Sequence, residues 1–487
     1  MVAERQAEDG VLDLAVIGAG AAGTYVARRL QLAHPDWAIS LFERSDRIGG
    51  RLRSMAVPGL DHPIELGGMR FLTSHPRVAA VVAGFALPTH PFDPTGGVER
   101  SFLRGRFGTG QGDAGAGAGY DLPVTERGRS AQDLGVAAFE QIVPGASELS
   151  ADDWVRVRGS HEYLGRAVID WSIAEAMTTV LSSEAYRFVM DAFGYDTPRA
   201  FNVADGMQYI LGGGRGTGEA RTPDEGMDAI PRALARSFAE AGGSIRPGHE
   251  LSRHDLVGGV HQLTFANSVV VDARRVVLAV PVRALDLLAG SSAALNTSAV
   301  RAMVASVEAF SAVKLYLWYD RPWWLGVDQA FRLTTDLPPR KLFYFGSERD
   351  SPAALLASYT DGLHAEQWRG LVDGWGAAGS PAPPRMVAEA ERYLDAIHPS
   401  ARDRPAPTGS AFNSWGSDPH EMGWAIWRAG VRSDGMIRAA VRPIPGLDLF
   451  VCGDSFSRSQ GWVEGALETA DLVVAELAQG RLPDPGA

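Results

Sequence analysis

The chain of 487 residues carries a net charge of −12 and one cysteine, Cys452. That charge argues against a nucleic-acid partner or an anionic membrane surface, and a single cysteine excludes an intrachain disulfide and a cysteine-based zinc site. The apolar and charged contents, 45% and 21%, are ordinary for a globular chain too long for one core. No apolar run reaches the length of a membrane span, and the polar N-terminal MVAERQAEDG lacks the layout of a secretory leader, so a cytoplasmic location is expected.

In chain order, the apolar run Leu12 to Ile17 predicts a buried parallel strand. It turns through Gly18-Ala19-Gly20-Ala21-Ala22-Gly23 into a helical pattern from Thr24 to Leu30. Glycines there permit a tight turn, close backbone approach to a pyrophosphate and close helix-on-strand packing, with the anion on the helix N-terminus. A second strand, Ala38 to Phe42, ends in Glu43. An acid about 20 residues beyond the glycines accepts hydrogen bonds from both ribose hydroxyls, which implies an unphosphorylated ADP moiety.

Residues 104–120, rich in glycine and alanine, predict a mobile excursion. From 131 to 222 the periodicity is mostly helical. An amphipathic helix in GMDAIPRALARSFAEAG and strands in SIRPGHELSRHD and VVVDARRVVLAVP follow, with further strands at 309–319 and 341–359. A Pro/Gly/Ala-rich linker, 374–385, precedes the helical MVAEAERYLDAI. The chain closes on a strand, a glycine-containing turn and a helix, whose N-terminus is placed to direct backbone N–H groups at an anionic group. Among the 46 basic residues only Lys314 and Lys341 are lysine. Each is expected where a compact ammonium or amine is needed and a planar guanidinium will not serve.

Taken with GGR at 49–51 and GG at 67–68, these segments resemble the flavin amine oxidase superfamily, and within it the L-amino acid oxidases. GMDAIPRALA, RPGHELSRHD and VVLAVP resemble its middle FAD segment, and GDSFSRSQGWVEGALETA (453–470) its closing motif. The resemblance runs along most of the chain and is strongest at both ends. It implies an α/β (α+β) fold: a discontinuous Rossmann-like FAD-binding domain (11–72, 223–300 and 436–480), a mixed-sheet substrate-binding domain (73–130 and 305–435) and a helical domain (131–222).

The cofactor residues it implies are Gly18, Gly20, Ala22, Gly23, Glu43, Arg44, Gly50 and Arg51, then Gly67, Gly68, Met69, Arg70 and Leu251, and finally Gly453, Asp454, Gly461, Trp462 and Val463. Arg70 matches the arginine that grips a substrate carboxylate, for which a guanidinium offers a bidentate fork. Lys314 matches the lysine that holds a water against flavin N5. Tyr359 resembles a tyrosine that gives the carboxylate a second hydrogen bond, Trp424 and Trp427 stand where relatives build a substrate-facing aromatic wall over the flavin, and Trp462 is expected to flank the substrate amine. Here the chain departs from the GGGWHFW version of many bacterial relatives, with His420-Glu421-Met422 replacing part of it. The segment around Cys452 differs from the one that carries covalent flavin, so noncovalent FAD is expected.

The implied activity is oxidative deamination of an L-amino acid to the 2-oxo acid, ammonia and hydrogen peroxide, by hydride transfer from Cα to flavin N5, with O2 as acceptor. Three alternatives stay open: a flavin monooxygenase that decarboxylates an amino acid to its amide, a primary amine or polyamine oxidase, and a non-catalytic flavin-binding partner or assembly subunit. A basic substrate side chain would be read by acids of the helical insertion such as Asp170 or Glu175. His75, His90, His364 and His420 have no assigned role, and no metal-ligand spacing is found. A homodimer is the candidate assembly, though oligomeric state stays open.

Overall fold

A computed structural model describes residues 10–93, 98–211, 218–327, 330–346, 348–372 and 379–479. Residues 374–378 of the expected linker lie outside that set. A five-stranded parallel sheet organises one half of the molecule. Its order is Ser244–Arg246, Ile39–Phe42, Leu14–Ile17, Val276–Leu278 and Leu449–Val451. Every residue of Leu14–Ile17 is buried, as expected of a central parallel strand covered on both faces. The helices Ala21–Ala33, Ala229–Glu240 and Val463–Gln479 cover one face, with Val26, Leu234 and Leu467 in the same apolar cluster as Leu14 and Val16, while Ala15 and Ile17 on the other face belong to the cluster that holds Leu263, Phe265 and Leu285. Strands from three distant parts of the sequence therefore meet in one sheet, a discontinuous nucleotide-binding unit of the doubly wound type.

The second half is built on a mixed seven-stranded sheet, ordered Gly409–Trp415, Ala312–Tyr319, Ala353–Asp361, Lys341–Tyr344, Ala330–Thr335, Val98–Leu103 and Arg106–Thr109. Its pairs are antiparallel except Ala330–Thr335 with Val98–Leu103. In this sheet Lys314 is directly opposite Tyr359 on one side and Asn413 on the other, and Lys341 is opposite Tyr359.

The helical segment contains Ala131–Ile142, Ala151–Ser160, Ile173–Thr178, Ser183–Phe193 and Val203–Leu211. Three of these helices start on reciprocal capping boxes, Ser130 with Asp133, Ser150 with Asp153 and Ser172 with Glu175. In each the serine accepts from a backbone N–H of the first turn while the acid returns to the cap. Among the described residues no helix is long and apolar enough to cross a membrane.

Residues 104–120 correct an expectation. Instead of a mobile excursion they continue a hairpin, with Arg104 and Gly105 at positive φ in the turn between Val98–Leu103 and Arg106–Thr109. The short helix Ala114–Gly117 follows, capped by Asp113, which accepts from the Ala116 and Thr109 N–H groups. The small residues are packing, not slack. A Cβ on Gly117 would come within 3.0 Å of the Phe188 ring, and one on Gly112 within 2.9 Å of Ala192.

Candidate active site

The parallel sheet directs its C-terminal strand ends into a cavity of about 860 Å3. At one end stands the glycine turn. Gly18, Gly20 and Ala22 line the cavity, and helix Ala21–Ala33 begins there with no side-chain cap and no acid in its first turn. Its first N–H groups are thus available for an anion. Gly18 adopts φ +101°, and a Cβ there would lie 2.5 Å from the Ala279 carbonyl oxygen. Gly23 is outside the cavity and serves packing, because a Cβ would strike the Gly18 carbonyl at 1.9 Å. Glu43 lines the same end, its carboxylate accepting from the Ala19 N–H at 2.9 Å and the Ser45 N–H at 3.0 Å. The cap-free helix, the side-chain-free turn and the fixed acid fit the ADP half of a dinucleotide.

Arg44, Gly50, Arg51, Gly67, Gly68 and Leu251 also line this cavity, as do Gly453, Asp454, Gly461, Trp462 and Val463 of the C-terminal turn and helix. Arg51 ion-pairs with Asp454, which also accepts from the Gly461 N–H at 3.1 Å and so ties the turn to the cavity wall. Arg44 gathers Asp418 at 2.7 Å and Glu421 at 3.3 Å, with His420 beside it. The segment that departs from the bacterial version of the aromatic wall is therefore anchored on Arg44 at the rim of this cavity, and Met422 is fully buried.

The opposite end is formed by Lys314, Tyr359 and Trp424. Lys314 is 2% exposed, and its Nζ donates to the carbonyls of Glu65 at 2.9 Å and Gly67 at 2.5 Å. Burial holds Lys314 well below the usual lysine range, against the pull of the Glu65 carboxylate. Glu65 is pushed up by its own burial although it accepts from the Met227 N–H.

A second cavity, of about 470 Å3, shares Gly68, Tyr359, Trp424, Gly461 and Trp462 with the first. Tyr359, Tyr195 and Trp424 form an edge-to-face trio at this junction, with centroid separations of 5.4, 5.6 and 6.0 Å. The Trp424 indole N–H donates to the Thr197 hydroxyl at 2.8 Å, and Thr197 in turn donates to the buried Asp361, two residues beyond Tyr359. Trp462 closes the other side, donating to the Tyr209 hydroxyl at 3.0 Å, with His75 edge-on at 4.9 Å.

Arg70 and Met69, expected at the cofactor, line the second cavity and not the first. The Arg70 guanidinium lies 4.7 Å from the Phe92 ring centre and 5.9 Å from that of Phe343. Aromatic faces at such distances attract and brace a guanidinium.

Trp427 lines neither cavity. It is a core residue, 2% exposed, whose indole N–H donates to the Ser457 carbonyl. Nor do Asp170 and Glu175 reach the second cavity: Glu175 is consumed in its helix cap. The acids that do line it are Asp93 and Glu99, the latter paired with Arg332. Lys341 completes this wall, its Nζ 4.8 Å from the Tyr195 ring centre. Of these groups the sequence marked only Lys341, through the scarcity of lysine. His364 pairs with Asp196 at 2.8 Å, away from both cavities.

A discontinuous dinucleotide-binding sheet, a mixed sheet and two joined cavities with a buried lysine lining the first are the framework of a flavin-dependent oxidoreductase. The chain belongs to the flavin-containing amine oxidoreductase family, which it matches over residues 21–478. It is 28% identical to aplysianin-A of Aplysia kurodai, over 98% of this chain and 92% of that protein. It is 23% identical to L-amino-acid oxidase 4 of Hebeloma cylindrosporum, over 93% of this chain and 80% of that one. Cyclohexylamine oxidase from Brevibacterium oxydans IH-35A shares the fold, with a TM-score of 0.73, 18% identity and coverage of 97% of this chain and 99% of that one. The family implies a flavin, FAD, and a small-molecule substrate oxidised at the expense of oxygen.

Proposed function

We propose that the protein converts an L-amino acid, water and oxygen into the 2-oxo acid, ammonia and hydrogen peroxide, with FAD held noncovalently. The observation that carries this reading is Arg70, whose guanidinium is braced on Phe92 in the cavity that adjoins the flavin site. A cation so placed matches a substrate carboxylate, a group that a simple amine lacks. Tyr359, at the junction of the cavities, is the second donor to that carboxylate.

Bound FAD supplies the two-electron acceptor. The chain supplies position and exclusion of water. Arg70 and Tyr359 hold the carboxylate, Trp424 and Trp462 flank the amino end, and Lys314 holds a water at the flavin side of Tyr359. Glu43 takes the ribose hydroxyls and the first turn of helix Ala21–Ala33 takes the pyrophosphate. What supports noncovalent attachment is Cys452, which lines neither cavity and whose thiol burial pushes up to about 12.

The test is anaerobic mixing of the yellow protein with the L-amino acids and their decarboxylated amines, followed by the flavin absorbance. Bleaching by an L-amino acid with none by its amine is the expected result. Bleaching by amines alone would replace this reading with an amine oxidase, and an amide among the aerobic products would make the protein a monooxygenase.

A further inference from the structure

His62, His90 and Asp224 are far apart in sequence, so no metal-ligand spacing reveals them, yet the fold brings them together. Their ligand atoms all lie within 4.8 Å of one another. His90 is the middle residue of strand Thr89–Pro91, and Asp224 directly follows strand Ala220–Pro223. These two strands pair antiparallel, with Thr222 opposite His90 and Pro223 opposite Thr89. The Asp224 N–H also donates to the Pro88 carbonyl at 2.9 Å. Two members of the cluster thus sit on a hydrogen-bonded ladder, and His90 Nδ1 is 2.9 Å from Asp224 Oδ1. The third, the exposed His62, comes from the connection between Ser54–Met55 and Ile64–Glu65, and its ring stacks on that of His90 at 3.7 Å and 12°.

We propose that His62, His90 and Asp224 form a surface site for a borderline divalent cation, with Zn2+ as its simplest occupant. Two imidazoles and one carboxylate are the donors such an ion prefers, with water free to complete the coordination. With bonds of roughly 2.0–2.2 Å, tetrahedral donors stand about 3.3–3.6 Å apart; His90 and Asp224 are already within that spacing, so the adjustment falls mainly on His62. The exposed His62 can supply that movement by turning its side chain, while the ladder holds the other two. Arg221, a cation that acts against a charge at His90, is already engaged with Thr89 and Glu219.

The site has a consequence for the cavity behind it. Phe92 and Asp93, next along the chain from the His90 strand, line the second cavity, and Phe92 is the ring on which Arg70 rests. A bound cation would fasten the 56–63 connection onto the strand pair and stiffen the wall that aims Arg70.

The experiment is calorimetric titration of tag-free, EDTA-dialysed holoenzyme with Zn2+, alongside His62→Ala and Asp224→Asn. The wild type should bind about one Zn2+ per chain with Kd on the order of 10 μM or tighter. Each variant should bind at least about tenfold more weakly while retaining its flavin absorbance. His62 is exposed, so its truncation leaves the fold intact. Saturating Zn2+ should raise the Tm of the wild type and not of His62→Ala. Absence of binding by the wild type at about tenfold above that Kd, or binding equally tight in both variants, would overturn the site.

Discussion

Lys314 Nζ lies 4.8 Å from the centre of the Tyr359 ring, and the two residues are direct partners across adjacent strands. Lys341 occupies the corresponding position on the strand at the other side of Tyr359. The only two lysines of the chain therefore bracket one tyrosine, Lys314 in the flavin cavity and Lys341 in the second. Side chains opposite one another on paired strands share a face of the sheet. One row of a rigid sheet thus fixes the boundary between the two cavities.

Lys314→Met keeps the apolar stem and removes the nitrogen. Stopped-flow absorbance should show anaerobic flavin reduction within about threefold of wild type and reoxidation by O2 slowed at least about tenfold. Denaturant unfolding should show a loss of about 1–3 kcal/mol, because the buried Gly67 carbonyl loses its Lys314 donor while the Glu65 carbonyl keeps only that of the Tyr316 hydroxyl. Unaltered reoxidation would remove Lys314 from the oxidative half of the reaction.

The pH profile separates Tyr359 from a catalytic base. Burial pushes its phenol up to about 12, with the Arg70 charge pulling it down. The hydroxyl therefore remains a neutral donor below about pH 11. A substrate ammonium must lose its proton before its Cα can be oxidised, so kcat/KM should rise with pH to a plateau. Tyr359→Phe should raise KM and lower the plateau about tenfold, leaving the midpoint of the rise in place. A rise that disappears in the variant would mean that the tyrosine itself titrates in catalysis.

Trp424 and Trp427 should respond to truncation in opposite ways. Trp424→Ala opens the aromatic trio at the cavity junction and should alter KM and substrate preference with little loss of stability. Trp427→Ala empties a core position and should cost about 3–5 kcal/mol in denaturant unfolding. Comparable kinetic effects without a stability difference would contradict the assignment.

The same pair shows what sequence could and could not disclose. HEMGWAIW suggested one aromatic wall, but residues 424–427 form a strand, and positions three apart point to opposite faces. The glycine turn and Glu43 were legible because strand, turn, helix and acid follow one another within a single local unit. The rarity of lysine marked Lys341 as well as Lys314, although no motif surrounds it. Tyr195, Asp93 and Glu99 carried no such sign, since only the pairing of distant strands and the helical segment brings them to the cavity. The 104–120 segment misled because composition alone does not distinguish glycine that permits motion from glycine that permits contact, as Gly112 and Gly117 do against the Ser183–Phe193 helix.

The most direct test of carboxylate recognition compares anaerobic flavin reduction by the best L-amino acid and by its decarboxylated amine, in wild type and in Arg70→Ala. The account predicts rapid reduction of the wild type by the amino acid alone, and at least about a hundredfold loss of that preference in the variant through removal of a charge-assisted pair. Equal reduction of both proteins by the amino acid would contradict it.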